Sequence, residues 1–446
     1  MKKCLKFQVR SMLKVHLTLG FFVIVYLISL SRWLKDFQTR QLDLYSIDDI
    51  QQLLAKLQFL SGPTLGVTGN LTSHADLHFK TSLLKEDCHR APVTNIVYIR
   101  THKTGSTTLC NIINRYGYLR NLSFMLDENF RNGRNFYMNI SLAFQRNTLL
   151  RPLRTSVQDG STRPLYNMTT LHTQYDRNVI AKFMVPNARY ITSLRDPATQ
   201  FESAFAHYKL HHVFGKEKHK LISKPIEDSI AEWLKKPKFY LDKLKRTAKL
   251  RDSEEQWLHL YARNGQINDL GFEAKHHGDL KRVSEYIDSL DKEFDLVLIT
   301  EYFDESLLIL KKQFCWEVED ILYISENQRL NEAKTSAISQ SLRDSIRKWN
   351  SADFQLYQHF NRTLWQKIKK YGPQFKEDLS NFRKRLKDVL HNCTKGQVTT
   401  GRKFFRRTVY TKKRNLPDYC IMLVKTKDQI VLKIREKQLG NSINYN

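Results

Sequence analysis

Of the 446 residues only 16 are Gly and 10 are Pro, which excludes a collagen-like chain or a low-complexity linker. Cysteine is sparse too, with six in all, no CxxC pair and no His/Cys cluster at metal-ligand spacing, so no metal is implied. Acidic side chains are the scarcest relative to their partners. Against 73 Lys plus Arg stand 45 Asp plus Glu, a formal net charge of +28. That excess points to anionic partners: nucleic acid, anionic lipid, polyanionic glycan or a phosphate-rich small molecule. Composition alone does not choose among them.

Hydrophobic residues make up 41% and aromatics 11%, enough to bury the core of a globular enzyme-sized protein. At roughly 150 residues per domain the length allows two or three units, or one large α/β domain with a membrane segment and a tail. Residues 15–31, VHLTLGFFVIVYLISLS, carry no fixed charge. Lys2, Lys3, Lys6, Arg10 and Lys14 precede them without an acidic residue, whereas Arg32, Lys35 and Arg40 are diluted by Asp36, Asp43, Asp48 and Asp49. The positive-inside rule then keeps the N-terminus cytosolic. No small-x-small cleavage site follows, so the run reads as an uncleaved signal anchor of a single-pass type II protein rather than a signal peptide. Six N-x-S/T sequons, at Asn70, Asn121, Asn139, Asn167, Asn361 and Asn392, agree with a luminal body. On that topology the bulk of the chain does not meet nucleic acid. Five cysteines, Cys88, Cys110, Cys315, Cys393 and Cys420, lie in an oxidising lumen, and an odd number leaves at least one free or paired between chains.

The expected organisation is a cytosolic tail (1–14), an anchor helix (15–34), a luminal stem (35–92), a catalytic domain (93–380) and a basic C-terminal region (381–446). The stem holds one helical stretch, 46–60, which together with the anchor offers a route to a homodimer. From residue 93 β-rich runs alternate with helical ones: 95–100, 188–194 and 294–300, each followed by a segment with apolar residues at helical spacing. This predicts an α/β fold with a central parallel sheet flanked by helices. The segment 216–292, charged and mostly helical, reads as an insertion beside that sheet.

The strongest local signal is Arg100-Thr101-His102-Lys103-Thr104-Gly105-Ser106-Thr107-Thr108, between a strand and a helix. At that edge of a parallel sheet a helix start offers free N–H groups and the positive end of its dipole to an anion. Gly105 allows a tight turn, Lys103 adds a full charge, and the hydroxyls at 104 and 106–108 are expected to donate to phosphate-type oxygens. A nucleotide-triphosphatase loop reads GxxxxGK[ST]; here Lys precedes the only Gly, so that motif is absent. Arg195, at the end of the second strand, has the planar fork suited to bidentate phosphate contact, Pro197 suits a helix start, and Ser203 lies about two turns into that helix. Together the two segments define two anion sites.

These motifs resemble those of the galactose-3-O-sulfotransferase family of Golgi membrane enzymes over roughly residues 93–375. THKTGST (101–107) looks like the 5′-phosphosulfate loop, ITSLRDPATQFESAFAHYK (191–209) resembles the 3′-phosphate motif, and FDLVLITEYFDESLLILKKQFCW (294–316) is similar to a third stretch. The resemblance implies a P-loop-like sulfotransferase fold, 3′-phosphoadenylyl sulfate as donor and a galactose-terminated glycolipid or glycoprotein as acceptor, sulfated at the 3-hydroxyl. It assigns Thr101, Lys103, Thr104, Gly105, Ser106, Thr107, Thr108, Arg195 and Ser203 to the donor, with Lys103 at the leaving group, and His102 or His172 as general base. One departure is Arg100, where relatives lead into the loop with an apolar residue and then Lys; it keeps the charge but not the ammonium geometry. The other readings are the same donor with a glycosaminoglycan or N-acetylhexosamine acceptor, and an inactive basic glycan-binding protein. Between Lys395 and Arg414 eight basic residues and no acidic one are interleaved with Phe404, Phe405 and Tyr410, a composition suited to a polyanion or membrane surface.

Overall fold

A computed structural model describes residues 88, 90–128, 148–153, 165–217, 225–248, 258–325, 328–329, 338–400 and 407–443. The anchor at 15–34, the 46–60 helix, Asn70 and Asn139 lie outside them, as does the stem apart from its last few residues. Among the described residues no helix is long and apolar enough to cross a membrane.

Four strands form the central sheet: β1 (Ile96–Ile99), β2 (Met168–Thr169), β3 (Arg189–Leu194) and β4 (Leu296–Ile299), in the order β2-β1-β3-β4. All pairings are parallel, with Ile96 opposite both Met168 and Arg189, and Ile191 opposite Leu296. Strands buried on both faces read as continuous apolar runs, which is why IVYI and LVLI were visible in the sequence. β2, only two residues long, carries no such run. Because the chain passes from β1 to β2 on one side and then to β3 on the other, the order reverses between β1 and β3. In open α/β sheets such a reversal marks the ligand-binding crevice, beyond the C-terminal ends of the two strands.

The helix after β1, α1 (Ser106–Leu119), buries Leu109, Ile112, Ile113 and Tyr116 against the sheet. Gly117 lets it sit close: a Cβ there would meet the Met168 sulfur and lie 2.5 Å from the Phe124 ring. After β3, Asp196 caps α2 (Pro197–His207) by accepting from the Ala198 N–H at 3.0 Å, with Pro197 at the first helical position. Phe201 and Phe205 of α2 pack on Trp233 of α3 (Ile226–Lys235), and with α4 (Pro237–Ala248) they form a second apolar cluster beside the sheet. This is the charged segment read as an insertion. It also holds α5 (Gly265–Asp269), a five-residue helix that returns to the sheet edge, and α6 (Leu280–Glu293) leading into β4. α7 (Phe303–Phe314), α8 (Gln340–Trp349), α9 (Ser351–Tyr371) and α10 (Phe375–Cys393) follow.

The stretch after residue 380 is part of the same compact unit, 86–446. Strands β5 (Gln328–Arg329), β6 (Thr394–Thr400) and β7 (Arg407–Lys412) make a small antiparallel sheet, ordered β5-β7-β6. Beyond it come α11 (Asp418–Leu423) and α12 (Lys427–Ile443); Cys420, Leu423, Ile430, Val431 and Ile434 join the main core. The disulfides are Cys88–Cys315 and Cys393–Cys420, and Cys110 is free and buried, in keeping with the odd count.

Candidate active site

The loop between β1 and α1 is shaped by two left-handed residues, Lys103 at φ 66° and Gly105 at φ 72°. A lysine held there is strained by about 1–2 kcal/mol, a cost that persists only where surrounding contacts impose it. Those contacts are the hydroxyls of Thr101 and Thr104. Both are fully buried; Thr104 Oγ1 is 2.8 Å from Thr101 Oγ1 and 3.0 Å from Ser193 Oγ, and Thr101 Oγ1 donates to the Ser193 carbonyl. Thr101 and Thr104 therefore turn inward and pin the loop to β3. No side chain caps α1 and no acidic residue lies in its first turn; the Thr108 N–H donates to the Gly105 carbonyl at 3.1 Å, and the N–H groups of Ser106 and Thr107 are left for an anion.

Arg195 meets this loop from the other side of the crevice. Its Nη1 donates to the Lys103 carbonyl at 3.3 Å and its Nε to Thr199 Oγ1 at 2.9 Å. The neighbouring Asp196 is not its partner, being paired with Arg347 at 2.5 Å. Ser203 lies one turn beyond Thr199 on α2 and is half-buried, so Arg195, Thr199 and Ser203 form one row.

His102 carries the most ordered contacts. Its main-chain N–H donates to Asp269 at 2.7 Å, and its ring Nδ1 lies 2.8 Å from the same carboxylate, which is almost wholly buried. A carboxylate only accepts, so Nδ1 bears the proton and Nε2 is the basic nitrogen; the Tyr261 hydroxyl sits 3.2 Å from it. His172 stacks on His102 with ring centroids 4.3 Å apart. Burial holds the His172 pKa well below the ordinary histidine value, and the charges of Arg100, His102 and Lys427 push the same way, against a hydrogen bond to the Arg100 backbone. Its Nδ1 is buried without a partner. The structure thus brings both histidines together and gives only His102 an orienting carboxylate.

Asp269, Gln266 and Tyr261 were not singled out from the sequence, and all belong to the segment read as an insertion. Gln266 clamps the Arg195 backbone, its Oε1 accepting the N–H at 2.8 Å and its Nε2 donating to the carbonyl at 2.9 Å. One short helix, α5, so positions both His102 and Arg195. α5 is itself held by Asp353 of α9, whose carboxylate accepts from the Gln266 and Ile267 N–H groups at 3.1 and 2.8 Å. Burial pushes the Asp353 carboxyl up to about 7, those hydrogen bonds opposing it. The only trace in the sequence is Asn-Gly-Gln-Ile-Asn-Asp (264–269), a cluster of turn-forming and amide residues.

Four sequons lie among the described residues. Asn121 is exposed, in a left-handed turn after α1, and Asn392 is half-buried at the end of α10. Asn361 is half-buried in α9. The Asn167 amide is engaged at both ends, accepting from the Ser123 N–H at 3.1 Å and donating to Asn95 Oδ1 at 2.9 Å.

The sequence profile described as galactose-3-O-sulfotransferase matches residues 45–405. The galactosylceramide sulfotransferase of Mus musculus is 32% identical over 311 residues, 70% of this chain and 66% of its own, and that of Homo sapiens 34% over 281 residues, 63% and 59%. The galactose-3-O-sulfotransferase 2 of Mus musculus is 28% identical over 315 residues, 70% of this chain and 72% of its own. The chain spans less than two thirds of the length of the galactosylceramide sulfotransferases it matches. With the profile running through the loop, the Arg195 row and α5 alike, the chain belongs to the galactose-3-O-sulfotransferase family.

Proposed function

We propose that the protein is a carbohydrate sulfotransferase that moves the sulfuryl group of 3′-phosphoadenylyl sulfate to the 3-hydroxyl of a galactose on a glycolipid or glycoprotein. The observation that carries this reading is the meeting of two anion positions and one base. The uncapped start of α1 and the Arg195 row are joined through the Lys103 carbonyl, and the basic nitrogen of His102 lies beside them, fixed by Asp269. The residues fit a bisphosphorylated donor: α1 and Lys103 for the 5′ end, Arg195 and Ser203 for the 3′-phosphate. When bound, that donor supplies the activated sulfuryl group and, as leaving group, adenosine 3′,5′-bisphosphate.

His102 Nε2 takes the proton of the acceptor hydroxyl as its oxygen bonds to sulfur and the bond from sulfur to the leaving phosphate breaks. Asp269 holds the ring in the tautomer this needs and stabilises the imidazolium that forms. Lys103 and the α1 N–H groups offset the charge growing on the leaving oxygens. His172, neutral and stacked on His102, confines the ring. Names of the relatives support galactose as acceptor, galactosylceramide in one and galactose in the other. The uncleaved anchor reading places the site in the Golgi lumen, in a membrane-embedded enzyme. An intact base and orienting carboxylate favour catalysis over an inactive glycan-binding protein.

The test uses full-length protein, labelled donor and a panel of galactosylceramide, lactosyl glycans, glycosaminoglycan chains and a 3-O-methyl galactoside. Transfer to the galactosides, none to the 3-O-methyl compound, and loss of about a hundredfold or more in Lys103→Ala and Arg195→Ala are expected. Activity unaltered in both variants would sink the site assignment, and preference for glycosaminoglycan would replace the acceptor. Protease protection of a C-terminal epitope in sealed Golgi vesicles tests the topology; digestion without detergent would reverse it.

A further inference from the structure

The loop is preceded by a buried charge that no carboxylate pairs with among the described residues. Arg100 is 3% exposed, its Nε is buried without a hydrogen-bond partner, and among the described residues no carboxylate forms an ion pair with it. A guanidinium taken out of water without a counter-charge is strongly unfavourable, and buried charges are ordinarily paired. A second cation that acts on His172 together with Arg100 comes from the far end of the chain. α12 begins with Lys427, beyond residue 405 where the family match ends, and lies along α1. Asn111 Nδ2 of α1 donates to the Lys425 carbonyl at 2.9 Å, and Gln438 of α12 bonds both the N–H and the carbonyl of Phe124, which follows α1. These contacts bring the Lys427 side chain, 7% exposed, to the site; its ammonium has the half-exposed Asp428 at 2.8 Å. The Arg100 guanidinium has no such ion pair among the described residues. Both cations act on His172, which bonds the Arg100 backbone and stacks on His102, so the uncompensated charge lies on the reacting side of the loop rather than toward the Arg195 row.

We propose that Arg100 and Lys427 form a third oxyanion position, beside His172, that receives the transferable sulfuryl group of the donor. This rests on the donor reading given above. The sulfuryl oxygens supply the acceptors that Arg100 Nε lacks, and the C-terminal helix becomes a part of the catalytic site rather than a basic tail. An anionic substituent on the acceptor glycan has the same chemistry, and the experiment separates the two.

Calorimetric titration of the full-length protein is done with 3′-phosphoadenylyl sulfate and with adenosine 3′,5′-bisphosphate, which lacks the sulfuryl group. Arg100→Met and Lys427→Met are expected to weaken binding of the sulfated donor by roughly tenfold to a hundredfold, the loss of a charged hydrogen bond, and to leave the bisphosphate unchanged. Arg100→Lys should keep most of the preference. Replacing an unpaired buried charge by an apolar side chain of similar volume is neutral or stabilising, so the ligand-free melting temperature of Arg100→Met should not fall. A fall in that temperature with equal loss for both nucleotides would make Arg100 structural and overturn the proposal. So would donor binding unchanged alongside lost turnover of sulfated or sialylated acceptors only. If the wild type binds neither nucleotide, the donor reading itself is what fails.

Discussion

At the scale of single residues the site divides by how far its partners are in sequence. Lys103, His102 and Arg195 could be read because each stands at a strand end beside a turn signal, where a side chain faces the crevice in any parallel sheet. Asp269 could not, since it meets His102 across 167 residues, and Gln266 meets Arg195 across 71. Nor does a hydroxyl in a loop announce its direction. Thr101 and Thr104 share the composition of the half-buried Thr107 but point into the protein, because Ser193 lies beneath them. The role of Asp269 is testable without disturbing the core. Asp269→Asn keeps the volume but offers the His102 ring the wrong tautomer, so kcat should drop by about a hundredfold to ten-thousandfold with donor affinity little changed. Steady-state kinetics with varied donor checks this. A drop confined to KM would mean that Asp269 only shapes the pocket.

At the scale of elements the loop and α1 make opposite demands on backbone and side chain. Lys103 occupies a left-handed conformation that a glycine adopts without strain. Lys103→Gly should therefore leave stability unchanged or raise it by up to about 1 kcal/mol while abolishing transfer. Urea denaturation beside the sulfate assay reads both, and a clear loss of stability would show that the ammonium is structural. Gly117 poses a problem of space. A methyl group there would press on the Met168 sulfur and the Phe124 ring, both buried, so Gly117→Ala should destabilise by about 1–3 kcal/mol. Because Phe124 also receives α12 through Gln438, the variant should loosen the C-terminal helix first. Hydrogen exchange of α12 amides reports this; uniform protection with unchanged stability would contradict it.

Over the whole molecule, stability against pH is set by buried groups that pull in opposite senses. Asp353, pushed up to about 7 by burial, binds its proton more tightly folded than unfolded. Its contribution is present at low pH and is lost as pH rises through about 7. His277, brought down to about 4 by burial, binds its proton more weakly when folded, and its contribution is present near neutrality and lost as pH falls toward 4. Between about pH 4 and 7 the two partly cancel. Removing one should expose the other: Asp353→Asn should make stability climb more steeply with pH over that window, and His277→Gln should make it climb less or fall. Urea titrations at a series of pH values decide this, and profiles parallel to the wild type would mean that neither group governs stability.

The sequence by itself determined the three principal strands, the glycine-turned loop between β1 and α1, the place of Arg195 at a strand end and the family, because those depend on local pattern: apolar runs, a glycine turn, a cation at a strand end. Tertiary structure alone decided the rest. The charged segment 216–292 supplies α5, which holds both His102 and Arg195, and the region after residue 380 packs α12 along α1. Both outcomes depend on contacts between segments far apart in the chain. What fixes them is packing, the burial of apolar faces on α9 and α12, and that energy belongs to surfaces which meet only once the chain has folded.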